Sequence, residues 1–313
     1  MNAIHLDSRH SEEERRHRIY DGHFYVFSPT PATRALCSFA RQMIEEAFHP
    51  LDPRTAQFAL SVEEFVAIAG PLKPQFIHHP RVKGLVTEML AEFGCDLNET
   101  YFDVPRLRVV THDRYLTSGV GYVLHPHRDT WYSAPMCQVR WWLPIYAIEA
   151  ENSLAFHPKY WDRPVENDSH LFNYYDWNRE RRSATQHVKN DPRFQPHAQG
   201  PIETEPELRF VCDAGGAILF SAAHLHSTVP NVSGVTRFSM DFRTVHLGDL
   251  AAHRGAPNLD SAPQGTTLRD FLRCSDFAPL PPEIINEYDD AEAIRGREEF
   301  LVFRPDKASS VAR

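Results

Sequence analysis

Two His-x-Asp tripeptides in this 313-residue chain can set an imidazole beside a carboxylate: His5-Leu6-Asp7 and His127-Arg128-Asp129. On an extended strand residues i and i+2 point to the same side, so His-x-Asp delivers both groups to one metal ion from a single segment. A distant second imidazole completes a set of two His and one carboxylate. That set leaves three positions open on an iron(II) ion, room for O2 and a bidentate organic cosubstrate. His5-Leu6-Asp7 lies in a polar N-terminus and reads as coincidence. His127-Arg128-Asp129 closes the apolar run Gly121-Tyr122-Val123-Leu124 and precedes another, Met136 to Ile148, the setting of a ligand pair at a barrel mouth. The distant imidazole is sought in the run Gly215 to Asn231, which contains His224 and His226.

The elements that must position these groups are legible as periodicities. Leu36, Phe39, Met43, Ile44 and Phe48 recur at helical spacing between Pro31 and His49, ahead of Pro50 and Pro53. Ser61 with Glu64 three residues on predicts a second helix start, and a third helix runs from about Pro80 to Phe93 before Gly94. After Tyr101, short segments rich in Val, Ile, Phe, Tyr and Trp alternate with Gly, Pro and Asn turns, predicting strands near 104–111, 119–125, 136–147, 153–157, 207–212, 216–221, 224–229 and 235–245. About eight strands suit a jelly roll. The expected architecture is a mainly β protein with a cupin-like double-stranded β-helix core and helices packed outside. It forms one domain: a helical flank over 1–100, the core over 101–245 with a polar insertion at 159–206 over the barrel mouth, and a covering segment over 246–313. The insertion carries a helix around Asp176 to His187, and shorter helical pieces are expected at Thr266 to Arg273 and Asp290 to Phe300.

One stretch carries a resemblance. Gly215-Gly216-Ala217-Ile218-Leu219-Phe220-Ser221 is a Gly-turn and apolar strand, His226 follows with Pro230-Asn231 close behind, and Arg237-Phe238-Ser239 comes next. Together with His127-Arg128-Asp129 this resembles the phytanoyl-CoA dioxygenase-like branch of iron(II)/2-oxoglutarate oxygenases over roughly residues 101–245. In that family the distal iron ligand lies five residues before the Asn, which falls on His226 and not on His224. The arginine that binds the far carboxylate of 2-oxoglutarate follows eleven residues after the ligand, at Arg237, and Ser239 is in phase to add a hydroxyl. The resemblance therefore implies His127, Asp129 and His226 as iron ligands, with Fe(II), 2-oxoglutarate and O2 as cofactor and cosubstrates. The carboxylate at Asp129 argues against halogenation, since halogenating relatives lack it there.

Further residues alternate along the strands. Gln138, Arg140 and Trp142 form one row of the segment after the ligand pair, and Arg140 is a candidate for binding a substrate anion. Arg237, Ser239, Asp241 and Arg243 form a polar row against Phe238, Met240 and Phe242; Arg243 either meets an acidic group of the substrate or pairs with Asp241. Trp131 is a third substrate candidate at the mouth, while His125 and His224 read as packed histidines. A net charge of −9, from 33 Lys+Arg against 42 Asp+Glu, lacks the basic field of a nucleic-acid or anionic-membrane binder and favours a small-molecule partner. The five cysteines show no Cys-x-x-Cys pair, and no stretch reads as a signal peptide or membrane span, which predicts a cytoplasmic protein. The expected activity is oxidation of a C–H bond of a small polar metabolite, an amino acid derivative of specialised biosynthesis. Hydroxylation is the default, with desaturation or ring formation such as cyclopropanation as variants. Two rivals are a cupin-type metal enzyme that does not use 2-oxoglutarate and a non-catalytic jelly-roll binding protein.

Overall fold

Thr30 and Ser61 each close a capping box at a helix start, with Thr33 and Glu64. Ser61 Oγ accepts from the Glu64 N–H at 3.3 Å and Glu64 Oε2 accepts from the Ser61 N–H at 2.8 Å, the reciprocal pairing that S-x-x-E predicts. The computed structural model describes residues 2–103, 105–117, 125–184 and 193–290. In chain order the first elements are β1 (Ile4–Leu6), α1 (Glu12–Tyr20), β2 (Phe24–Phe27), α2 (Pro31–Phe48), α3 (Val62–His78), α4 (Pro80–Glu92), β3 (Thr100–Phe102), β4 (Arg106–Val110) and β5 (Val139–Pro144). They are followed by β6 (Leu154–Phe156), α5 (Tyr174–Ala184), β7 (Leu208–Arg209), β8 (Ala217–Ser221), β9 (His226–Thr228), β10 (Arg237–His246), α6 (Leu247–Ala251), β11 (Leu272–Arg273) and α7 (Pro282–Glu287).

Among the described residues the strands make two sheets. The larger runs β1-β2-β8-β5-β10-β3-β11, with β4 also paired to β10, and the smaller runs β7-β6-β9. Period-two alternation sorts the side chains of the larger sheet. Val139, Trp141 and Leu143 of β5, Leu219 of β8, and Phe238, Met240 and Phe242 of β10 share one apolar core with Leu36, Ile44, Phe65, Leu72 and Met89 of the helices. On the other face Trp142, Ile218 and Phe220 meet Leu154 and Phe156 of the smaller sheet. Each such large apolar side chain withdrawn from water contributes about 1.5–3 kcal/mol. The polar row of β10 is thereby turned toward the smaller sheet, with both its faces buried.

The flank is less purely helical than its sequence suggests. β2 pairs antiparallel with β8 and parallel with β1, so the N-terminus extends the larger sheet, and β11 adds a strand from the C-terminal segment. The β-rich run Phe24-Tyr25-Val26-Phe27 carried that signal. The helix expected over 266–273 is a single 3₁₀ turn, Thr267–Asp270, followed by β11. The expected strand at 119–125 lies outside the described residues up to Leu124, as does the helix expected over 290–300 beyond Asp290. No helix among the described residues is long and apolar enough to cross a membrane.

Candidate metal centre

β9 begins at His226, and His127 lies beside it as an antiparallel pair. His127 N–H donates to His226 O and His226 N–H donates to His127 O, both at 2.9 Å, so the two imidazoles start from neighbouring backbone positions. Asp129, two residues on, opens the short 3₁₀ turn Asp129–Tyr132. Its Oδ1 lies 3.5 Å from His127 Nε2 and 3.9 Å from His226 Nε2. One ligand atom from each residue lies within 4.8 Å of the others, and among the described residues no other cluster of three His, Cys, Asp or Glu does this. All three side chains are buried.

The backbone sets the tautomer of both rings. His127 Nδ1 lies 2.8 Å from His125 O and His226 Nδ1 lies 2.9 Å from His224 O. A carbonyl only accepts, so the proton sits on Nδ1 in each and the Nε2 lone pair faces the cluster. Burial, with His127 alongside, holds His226 well below the usual imidazole range. Burial alone would raise the carboxyl of Asp129, but the Arg140 guanidinium and the two imidazoles hold it well below the usual carboxylate range. A neutral imidazole and an ionised carboxylate are the forms a divalent metal requires.

The two terminal nitrogens of Arg140 are committed at this centre, while its Nε is buried without a hydrogen-bond partner. Its Nη1 donates to Asp129 Oδ1 at 2.6 Å and also reaches Oδ2, while its Nη2 donates to Asp241 Oδ2 at 3.0 Å. Arg108 grips the same Asp241 from β4, Nε to Oδ2 at 2.8 Å and Nη2 to Oδ1 at 3.2 Å. The result is a chain of alternating charge, Arg108–Asp241–Arg140–Asp129, that ends on the ligand carboxylate. The sequence singled out Arg140 for a substrate anion and left Arg243 either to an acidic group of the substrate or to Asp241. The structure gives Arg140 to Asp129 and Asp241, and Arg243 to Asp103 through a side-chain ion pair and a 2.7 Å backbone bond. Asp103 and Arg108 went unnoticed, although Arg108 alternates with Leu107 and Val109 within a predicted strand.

At the start of β10, Arg237 donates from Nη1 to Asn152 O at 2.9 Å and Ser153 O at 3.1 Å, with its guanidinium 5.4 Å from the Trp142 ring centre. Its Nε and the Ser239 hydroxyl are buried without a hydrogen-bond partner. Burial and the neighbouring Arg108 lower the Arg237 guanidinium to about 9. A buried cation held only by carbonyls, next to an unbonded hydroxyl, suits an anionic ligand.

Three other residues form the frame around the centre. Trp131 is 0% exposed and packed with Val165 and Leu225, and its indole N–H donates to Asp260 Oδ1 at 2.8 Å. His125 reaches Pro196 O from Nε2 at 2.8 Å and stacks on His197. His224 donates from Nε2 to Gly22 O at 3.1 Å and accepts the Ser221 N–H at Nδ1, wedged between Phe24 and Trp161.

No protein-family model matches this sequence, and no curated protein matches it. Among solved structures, the chain is similar to EvdO2 from Micromonospora carbonacea var. aurantiaca at 13% identity, covering 77% of this chain and 93% of that one, with a TM-score of 0.43. It is also similar to ThoJ, described as a non-heme monooxygenase, at 14% identity over 70% and 71% of the two chains, TM-score 0.36. A third is SnoN, described as a non-heme alpha ketoglutarate dependent epimerase from nogalamycin biosynthesis, at 13% identity over 75% and 84%, TM-score 0.36. Superpositions this loose say nothing of what the present chain does.

Proposed function

We propose that this protein is an iron(II)- and 2-oxoglutarate-dependent oxygenase that oxidises a C–H bond of a small polar metabolite, an amino acid derivative of specialised biosynthesis, and that its two sheets are the halves of a double-stranded β-helix. The observation that carries the reading is the joint geometry of the buried His127–Asp129–His226 cluster and Arg237, a buried guanidinium whose hydrogen bonds go to carbonyls alone. His127 Nε2, His226 Nε2 and an Asp129 oxygen would hold the iron on one face. Arg237 and Ser239 would hold the far carboxylate of 2-oxoglutarate, for which a planar guanidinium fork is the natural partner. Bound together with O2, such a centre supplies C–H oxidation with loss of CO2 and formation of succinate. The chain's own part is to fix the ligands: Arg140 holds the Asp129 carboxylate, each Nδ1–H carbonyl bond aims an imidazole, and the packed sheets exclude water from around them.

The test is anaerobic titration of the apo-protein with Fe(II) and then 2-oxoglutarate, following the visible charge-transfer band of the bidentate chelate. The band is expected in the wild type and lost in Asp129→Ala. In Arg237→Ala, 2-oxoglutarate affinity is expected to fall by about 2–5 kcal/mol, the cost of truncating one partner of a buried charge pair. Well-folded, iron-loaded wild type that shows no band would remove the cosubstrate and leave a metal enzyme that does not need Arg237.

A further inference from the structure

The inner face of the larger sheet carries unmet hydrogen-bonding capacity on both sides of the Asp241–Arg140 crossing along β10, with Arg140 Nε unmet at the crossing itself. On one side are Arg237 and Ser239. The other lies two residues past Asp241, where Arg243 stands opposite Arg140 in the β5–β10 register and Gln138 is the next inward residue of the row Gln138, Arg140, Trp142. Gln138 is 1% exposed, yet neither its amide nitrogen nor its amide oxygen has a hydrogen-bond partner. Arg243 Nε is likewise buried and without one, and Arg106 Nη1 has no hydrogen bond but only a loose ion pair, 3.5 Å from Asp103 Oδ2, which is itself without one.

Leaving a donor or acceptor buried and unbonded costs roughly 1–3 kcal/mol each, so a fold that needed these groups only for packing would do better with apolar ones. Charge points the same way. Arg243 and Arg106 share a single carboxylate: Asp103 pairs with Arg243 and lies 3.5 Å from Arg106. That group of three holds one positive charge in excess. Burial and the nearby Arg243 lower the Arg106 guanidinium to about 10, as crowding of cations in a poorly solvated place requires.

We propose that Gln138, Arg243 and Arg106 form the anion subsite of the substrate and bind its carboxylate, on the far side of the metal ligands from Arg237. The proposal rests on the oxygenase reading and adds to it the class of molecule oxidised. A carboxylate matches the single excess charge, whereas a phosphate dianion would leave a buried negative charge over. It accepts from Arg243 Nε, Arg106 Nη1 and the Gln138 amide nitrogen, and the amide oxygen is left to receive a donor on the neighbouring substrate atom. Two strand residues span about 7 Å, so the carbon oxidised at the level of Asp129 lies only a few bonds from that carboxylate.

The test uses the full chain loaded with Ni(II) and saturated with 2-oxoglutarate, so that added carboxylates do not compete for Arg237. Saturation-transfer NMR compares the C4 to C8 aliphatic monocarboxylates with their primary amides. At least one acid is expected to bind, with its amide weaker by roughly 10- to 100-fold, the worth of a charge-assisted bond or two. The same loss is expected for that acid with Gln138→Leu and Arg243→Gln. Arg243→Gln exposes Asp103 to a buried, less compensated charge and can fail to fold, so Gln138→Leu is the decisive variant. It should keep or raise the melting temperature of the ligand-free protein, because it removes an unbonded buried amide. Acids and amides binding alike, no acid binding at all, or a Gln138→Leu enzyme that binds the acid as wild type would each overturn the proposal. So would a Gln138→Leu enzyme that loses 2-oxoglutarate, since the two subsites would then not be separate, whereas loss of 2-oxoglutarate confined to Arg237 variants bears on the cosubstrate reading alone.

Discussion

A neutral buried imidazole can serve a metal or a fold, and the partners of its two nitrogens decide which. His224 spends both, Nε2 on Gly22 O and Nδ1 on the Ser221 N–H, and burial lowers it to about 3. His226, one strand step away, spends only Nδ1. Their spacing in the sequence could not separate them; the family resemblance did. His224→Ala should therefore lower stability by about 2–4 kcal/mol through lost packing and two orphaned backbone groups, while metal affinity stays as it was because His226 bonds to the His224 carbonyl rather than its ring. Thermal melts paired with metal titration would check both halves, and a matching loss of metal affinity would show that His224 does more than pack. Arg140 gives the opposite split. Arg140→Lys keeps the charge but not the planar fork that spans Asp129 and Asp241, so metal affinity should fall roughly 10- to 100-fold, read as a shift in an anaerobic Co(II) titration. No rule of spacing reveals that Arg140 faces a ligand from its own protein, because the contact joins segments that only tertiary structure brings together.

The elements most legible in the sequence are those with a local cause. The Ser61–Glu64 box and the apolar spacing of α2 predict helix starts within a residue or so, since both depend on near neighbours. Ser61→Ala should cost about 1 kcal/mol and leave metal affinity untouched, a modest drop in melting temperature with an unchanged titration curve. β10 was legible for a different reason: seven residues of strict alternation, Arg237 to Arg243, sort into an apolar row against the helices and a polar row against the smaller sheet. Phe242→Ala opens a cavity on the apolar side and should cost about 3–5 kcal/mol, measured by denaturant unfolding. Two of the edge strands, β1 and β11, escaped notice, while β7 falls inside the strand expected over 207–212. β1 and β11 are two or three residues long and exist because a neighbouring strand offers unpaired backbone groups, a cause that lies outside their own sequence.

At the scale of the whole molecule, the histidines kept neutral by burial should govern how the apo-protein responds to acid. Burial lowers His125 to about 4 and His224 to about 3, and moves His157 in the same direction, from an ordinary value of 6.5. Below pH 6.5 the unfolded chain takes up protons at these rings while the folded chain does not, so the unfolded state binds more protons and stability falls as pH falls. The contribution is complete above 6.5 and drains away toward pH 4 and then 3, at about 1.4 kcal/mol per pH unit for each ring that stays neutral in the fold. Two of the buried carboxylates act in a lower window. Asp129 and Asp241 are held below the ordinary 3.8 by their arginines against the pull of burial, so their contribution is lost only once pH drops beneath that value. Between pH 4 and 6.5 the histidines therefore set the slope, and the apo-protein's melting temperature should decline steadily across that interval. Metal that binds only the folded state should lift the whole curve by an amount set by its concentration relative to Kd. A series of melts from pH 4 to 8, apo and with Ni(II), would measure this. An apo curve flat from pH 6.5 to 4.5 would mean that these rings are charged in the folded protein, and that burial does not hold them neutral.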